Sequence, residues 1–128
     1  MGMFTDSMPN LYIADMDAAL RFYRDLLGFE QTYRYPASGP ASHVELRLGA
    51  SYVALSTAMA LRDHGLPPAT QGQSFEIAIG TDDTELAVKT LRAAGVPVLR
   101  EPFVGSVGRL VAYVMDPDGN RIHLYATR

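Results

Sequence analysis

One arrangement occurs twice in this chain and constrains it more than any other feature. Asp15 precedes a segment, Asp17 to Leu27, in which Ala19, Phe22, Tyr23, Leu26 and Leu27 recur at helical spacing, and Gly28 follows it. Asp82 and Asp83 precede a second such segment, with Leu86, Ala87, Leu91 and Ala94 on its apolar face, and Gly95 follows. An aspartate can accept from the free N–H groups of a first helical turn, and glycine takes the left-handed conformation that closes a helix. Asp15 to Gly28 and Asp82 to Gly95 are equally separated. Each helix is flanked by short strands, Met8 to Ala14 and Phe29 to Tyr35 in the first case, Phe75 to Gly80 and Val96 to Leu99 in the second. Each set then runs on to a hairpin. The reading is an α+β fold of two tandem βαβββ modules, 8–56 and 75–126, joined by a connector, 57–74, in a single domain spanning 1–128. Neither copy is long enough to be a stable domain alone, and the repeat is one of pattern, not of residue identity.

The hairpins define faces. Val44, Leu46 and Leu48 alternate with His43, Glu45 and Arg47; after Gly49-Ala50-Ser51, Val53 and Leu55 alternate with Tyr52, Ala54 and Ser56. Leu110 to Met115 is an apolar, β-branched and aromatic run. Asp116-Pro117-Asp118-Gly119-Asn120 then reads as a turn, in which Asp116 can hydrogen-bond the backbone ahead of it. Arg121, His123 and Tyr125 point one way from the returning strand, and Ile122 and Leu124 the other. If the helices cover one side of each sheet, that side takes Leu11, Ile13, Val44, Leu46, Leu48, Val53, Leu55, Ile77, Ile79, Ile122 and Leu124. The opposite side collects Asn10, Tyr12, His43, Glu45, Arg47, Tyr52, Ser56, Glu76, Arg121, His123 and Tyr125. An antiparallel sheet facing bulk water alternates in the same way. Three tyrosines on the polar side favour a binding surface, because amphipathic aromatics are common in clefts. Gly, Pro and Ser between Glu101 and Gly108 predict a loop, and Thr57 to Gln73 a connector with one helical turn near Ala58 to Arg62.

Composition narrows the function classes. A net charge of −3 with no block of like charge favours neither nucleic acid nor a membrane surface. The absence of cysteine excludes disulfides, thiol nucleophiles and thiolate-bound metals. Met1-Gly2-Met3-Phe4-Thr5-Asp6 has no basic region followed by an apolar core, and no apolar run approaches the ~18 residues needed to span a bilayer. The expectation is a soluble cytoplasmic protein. There is no Gly-x-Ser-x-Gly elbow, Walker loop or dinucleotide fingerprint.

Two motifs carry a family resemblance. The Asp116-Pro117-Asp118-Gly119-Asn120 turn running into a strand, with the early Phe22-Tyr23-Arg24-Asp25-Leu26-Leu27-Gly28-Phe29, resembles the vicinal-oxygen-chelate superfamily: glyoxalase I, extradiol dioxygenases, fosfomycin-resistance enzymes and bleomycin-resistance proteins. The likeness runs from about Met8 to Tyr125. It implies pseudo-two-fold symmetry and curved, mostly antiparallel sheets whose polar faces enclose a ligand cavity. It further implies metal-ligand positions at Met8, Ala54, Glu76 and His123. Ala54 has no donor and Met8 only a soft thioether, whereas divalent catalysis wants three or four oxygen or imidazole donors. Glu76 and His123 remain as metal-ligand candidates, with Asn10 or Tyr12 as a third if the register shifts.

Two function classes therefore stay open. The Met-Pro-Asn-Leu first strand and the Asn-Arg-Ile-His ending resemble the bleomycin-resistance branch, which implies ligand sequestration without metal, cofactor or turnover. Its candidate ligand-binding residues are Asn10, Tyr12, Arg47, Tyr52, Phe75, Phe103, Arg121, His123 and Tyr125, with Phe75 and Phe103 as stacking surfaces. The alternative is a metal-dependent lyase, isomerase or dioxygenase built on Glu76 and His123, with a divalent metal ion as cofactor. Arg47 and Arg121, placed by alternation on the face of Glu76 and His123, suggest a polar or anionic small organic ligand, since guanidinium binds such groups bidentately. Open sheet edges and the resemblance together imply a homodimer, strand-exchanged through the connector or not.

Overall fold

The computed structural model describes residues 2–3, 5–70, 72–73 and 75–127. The expectations for Met1 and Phe4, and for Gln71 and Ser74 in the connector, lie outside the described residues. The chain divides into two compact units, 1–70 and 71–128.

In the first unit, β1 (Asn10–Tyr12) leads to α1 (Met16–Leu20), which continues without a break into a π-helical segment (Arg21–Leu26). Then come β2 (Glu30–Tyr35), β3 (His43–Leu48), β4 (Ser51–Ser56) and α2 (Ala58–Asp63). The sheet order is β1-β4-β3-β2, with β1 parallel to β4 and the other pairs antiparallel. The second unit repeats the plan with β5 (Ile77–Thr81), α3 (Thr84–Ala93), β6 (Val98–Val104), β7 (Leu110–Met115) and β8 (Arg121–Ala126), ordered β5-β8-β7-β6. β5 is parallel to β8, and β8-β7 and β7-β6 are antiparallel.

The caps fall on aspartates. Asp15 Oδ1 accepts from Ala18 N–H at 3.2 Å, and Asp83 Oδ1, not that of Asp82, accepts from Leu86 N–H at 3.0 Å. From cap to closing glycine the first helix therefore spans 28 − 15 = 13 positions and the second 95 − 83 = 12. The π-helical segment takes up the extra residue, because each of its turns closes on an i→i+5 bond, as in Leu27 N–H to Phe22 C=O. The adjacent Phe22 and Tyr23 are both buried, their rings 4.9 Å apart edge to face, and Tyr23 meets Phe29 at 5.9 Å in the same manner.

The cores follow the alternation. Leu11, Ile13, Val44, Leu46, Val53 and Leu55 are buried in the first unit, and Ile79, Val114, Ile122 and Leu124 in the second, while Leu48 and Ile77 are partly covered. Three expectations are corrected. On α3 the buried residues are Thr84, Val88 and Leu91, spaced i, i+4, i+7, and Leu86 points outward at 57% exposure. The stretch expected to be a loop from Glu101 is strand as far as Val104. Pro102 is tolerated there because β6 is an edge strand whose pairing shifts register twice. Finally, β5 begins at Ile77, so Phe75 and Glu76 lie just ahead of it.

The turn between β7 and β8 is held by one buried carboxylate. Asp116 Oδ1 accepts from the N–H groups of Asp118 (3.0 Å) and Asn120 (2.7 Å), and Oδ2 accepts from the Asn120 side chain (3.0 Å). Gly119, at φ 84, supplies the left-handed residue the turn requires. At the far end of β8, Tyr125 lies opposite Gly80, where an added Cβ would stand 2.6 Å from Thr127 Cγ2 and 3.2 Å from the Tyr125 ring.

Asp116→Asn keeps the shape but replaces one carboxylate oxygen by an amide that cannot accept. The expected loss is about 1.5–3 kcal/mol of unfolding free energy in urea titration. A change within experimental error would show that the turn does not depend on the carboxylate.

Candidate functional site

Register places side chains in rows on the face of the first sheet turned away from the core. Tyr35 pairs with His43, His43 with Ser56, and Ser56 with Tyr12. The neighbouring row is Tyr33, Glu45, Ala54 and Asn10. Partners across a strand pair share a face, so Tyr33 and Tyr35 stand at one edge and Tyr12 at the other, about 14 Å apart at three strand spacings. Between them lie the smaller Ser56 and Asn10 and the ring of His43. Residues of α2 and the turn after it, including Leu61, Asp63, His64 and Leu66, close the side of this depression into a cavity of about 490 Å³.

The floor is hydrogen-bonded throughout. Ser56 Oγ donates to Asn10 Oδ1 at 2.9 Å and lies 2.9 Å from His43 Nδ1, while His43 Nε2 lies 3.0 Å from Glu45 Oε2. A carboxylate only accepts, so Nε2 carries the proton directed at Glu45, while Nδ1 faces the Ser56 hydroxyl. Both ring nitrogens are engaged, and the Tyr33 ring meets His43 edge-on at 6.2 Å. Further along the same face Arg47 Nη2 donates to Glu30 Oε2 at 2.9 Å. That bond and the Glu30 charge hold the Arg47 guanidinium pKa above its ordinary value, with the neighbouring Tyr52 adding to the effect.

The second unit carries a different arrangement at the equivalent positions. There the register aligns Ala78, His123 and Tyr113 in one row, and Gly80, Tyr125 and Val111 in the next. His123 Nδ1 lies 3.2 Å from Glu76 Oε2. The Tyr113 ring stacks on the imidazole at 4.8 Å between centroids and 15° between planes, and Tyr125 lies tilted at 6.1 Å. The outer nitrogen, Nε2, is buried with no hydrogen-bond partner among the described residues. A proton on Nδ1, the nitrogen on the Glu76 side, leaves only a lone pair there, which costs less to bury than an unpaired N–H.

The residues expected from sequence are distributed over both units. Asn10 and Tyr12 line the cavity of the first; Arg47 and Tyr52 share its face but lie outside that cavity. In the second unit His123 and Tyr125 sit together with Glu76, and Arg121 is exposed, its backbone N–H donating to Gln73 Oε1. Phe75 is exposed, and the Phe103 ring carries the Arg100 guanidinium 3.9 Å above it. Sequence reasoning did not single out Tyr33, Tyr35, Asp63 or His64. The alternation Tyr33-x-Tyr35 was a usable signal for the first two; nothing in the sequence places the α2 residues over the sheet.

Residues 7–124 match the family described as Glyoxalase/Bleomycin resistance protein/Dioxygenase superfamily, and the chain belongs to that superfamily. A probable lactoylglutathione lyase of Vibrio cholerae is 30% identical over 117 residues, covering 89% of this chain and 84% of that one. Among solved structures, a glyoxalase/bleomycin resistance protein/dioxygenase family enzyme from Burkholderia phytofirmans superposes with a TM-score of 0.81 at 21% identity, covering 95% of this chain and 98% of the other. A lactoylglutathione lyase from Agrobacterium tumefaciens superposes with a TM-score of 0.71 at 22% identity, covering 98% and 96%. At those identities the two structures establish a shared fold.

Ser56 is the joint of the floor network, so Ser56→Ala leaves both Asn10 Oδ1 and His43 Nδ1 without their partner. Unfolding free energy should fall by about 1–3 kcal/mol. In a double-mutant cycle Ser56→Ala and His43→Leu should couple by at least about 0.5 kcal/mol. Strict additivity in urea titrations would mean that the two side chains do not act together.

Proposed function

We infer that this protein binds a small polar organic molecule on the faces of its sheets turned away from the core, without a metal ion. The observation that carries the reading is the pair of residues standing where the internal repeat would supply further ligands. Ala54 in β4 pairs with Asn10 as His123 in β8 pairs with Ala78, so alanine occupies the counterpart of His123. Met8, two residues ahead of Asn10, is likewise the counterpart of Glu76, two ahead of Ala78. Glu76 and His123 are then the whole donor set of that kind, and they face each other at 3.2 Å. No group of three or more His, Asp or Glu side chains suited to a metal ion occurs among the described residues. Two donors, one nitrogen of which is turned to a carboxylate and the other buried, do not fit a hard divalent cation that needs three or four.

The rest of both faces suits binding. In the first unit tyrosine rings flank a hydrogen-bonded floor; in the second Tyr113 and Tyr125 give flat surfaces beside His123. Of the two arginines that favoured an anionic ligand, Arg47 is held by Glu30 and Arg121 remains exposed. The relation to a probable lactoylglutathione lyase is the observation favouring a second reading, a metal-dependent lyase with Glu76 and His123 among its ligands. We also assign a homodimer as the working form, because β1, β2, β5 and β6 each leave one edge without a strand partner in these sheets. No described helix is long and apolar enough to cross a membrane.

Elemental analysis of protein purified without chelator separates the two readings. Substoichiometric metal, unchanged in Glu76→Ala and His123→Ala, is the expected result. One equivalent of divalent metal per chain, lost in both variants, would establish the lyase-like reading instead. For assembly, sedimentation at micromolar concentration should give a dimer; monomer alone would remove that assignment.

A further inference from the structure

The cavity of the first unit has a chemical character of its own. Three tyrosine rings, Tyr12, Tyr33 and Tyr35, line it, and each is about half exposed and so within reach of a ligand. Among the described residues no lysine or arginine lines it. The charged side chain on its wall is Asp63, and Glu45 stands behind His43 at hydrogen-bond distance. His43 and His64 are its only basic groups among the described residues; His43 is engaged at both nitrogens, and His64 follows α2 at the wall. A ring face carries negative charge in its quadrupole and attracts a cation, the more so when water is excluded. An anion here would meet aromatic faces and carboxylates with no guanidinium or ammonium to receive it. Helix α2 adds Leu61 and Leu66, apolar surface suited to the body of an organic molecule rather than to a bare metal ion.

We propose that this cavity selects an organic cation, a protonated amine or quaternary ammonium group on a small organic body, held against Tyr33 and Tyr35 with Asp63 as counter-charge. The proposal rests on the reading that this face takes a small organic molecule, and it reverses the sign of charge expected from the arginines. Tyr33 and Tyr35 are successive residues on one face of edge strand β2, and Tyr12 stands across the floor. The cationic head therefore lies by the paired rings, and the floor of Ser56 and Asn10 offers hydrogen bonds to a hydroxyl or carbonyl on the body.

The test uses the full chain and three probes of one shape. These are choline, its neutral isostere 3,3-dimethyl-1-butanol, and the anionic 3,3-dimethylbutanoate, each titrated against tyrosine ring signals in NMR. Choline should move the Tyr33 and Tyr35 signals and bind about five-fold or more tighter than the alcohol, with the carboxylate weakest. Tyr33→Leu and Tyr35→Leu should each weaken choline about three-fold, while Tyr35→Phe, which keeps the ring, should leave it within about two-fold. Both side chains are exposed, so these variants should fold, and circular dichroism checks that they do. If the alcohol or the carboxylate binds as well as choline at the same tyrosines, the charge preference is wrong and the ligand surface stands. If none of the three probes moves a tyrosine signal, both the preference and the use of this face for ligands fail.

Discussion

Everything on the two sheet faces turned away from the cores depends on one kind of contact, the parallel pairing of the first strand of each unit with its last. β1 meets β4 across more than forty residues, and β5 meets β8 likewise, as Leu11 with Leu55 and Ile79 with Leu124 show. A parallel pair needs a long connection, and here the helix and the antiparallel strands between provide it. The pairing closes loops of high sequence separation, so its cost is conformational entropy recovered only when the apolar alternates are buried on the helix side. Once that face is fixed, the opposite alternates have no freedom of direction. A shift of one residue would bring Asn10 and Tyr12 into the core and expose Leu11. The positions of Asn10, Ser56 and His43, or of His123 and Tyr113, are thus consequences of core burial elsewhere.

Much of the fold was legible for that reason. Period-two alternation in β3, β4 and β8 is a direct print of one-sided burial, and the aspartate caps and closing glycines mark the long helices. What escaped was local. The two cap-to-glycine segments looked equal because Asp82 and Asp83 are both able to cap; only the hydrogen bond from Leu86 shows which does. The one-residue difference then surfaces as a π-helical turn, a feature with no compositional signature, since Phe22-Tyr23-Arg24-Asp25 suits either helix form. Leu86 was placed inward because it is apolar, but α3 rests on the smaller Thr84 and Val88, and a leucine on the exposed side of a helix is no anomaly.

The site was legible in outline and not in its wiring. Alternation placed Asn10, Tyr12, His43, Glu45 and Ser56 on one face, yet alternation cannot show that His43 joins Ser56 to Glu45, because that depends on rotamers and on register between β3 and β4. The Glu76 and His123 pairing is of the same sort. Nor does the sequence reveal that Glu30, seventeen residues before Arg47, lies opposite it and pairs with its guanidinium. The α2 wall, with Asp63 and His64, was least accessible: a short helix in a Pro- and Gly-rich stretch gives no hint of the surface it will cover.

The two units also differ in a way that bears on how separately they can change. Tyr12 pairs with Ser56 in the first sheet, and at the counterpart position Gly80 pairs with Tyr125 in the second. A large residue faces a small one in both, but the large one has moved from the first strand to the last. The contact at Gly80 leaves no space for even a methyl group beside Tyr125. A hybrid unit joining the first strand of one to the last strand of the other would therefore set Tyr12 against Tyr125, or Gly80 against Ser56, giving a collision or a gap. Although they share a plan, the halves are no longer interchangeable parts, and at this point a drifting copy must exchange both partners together.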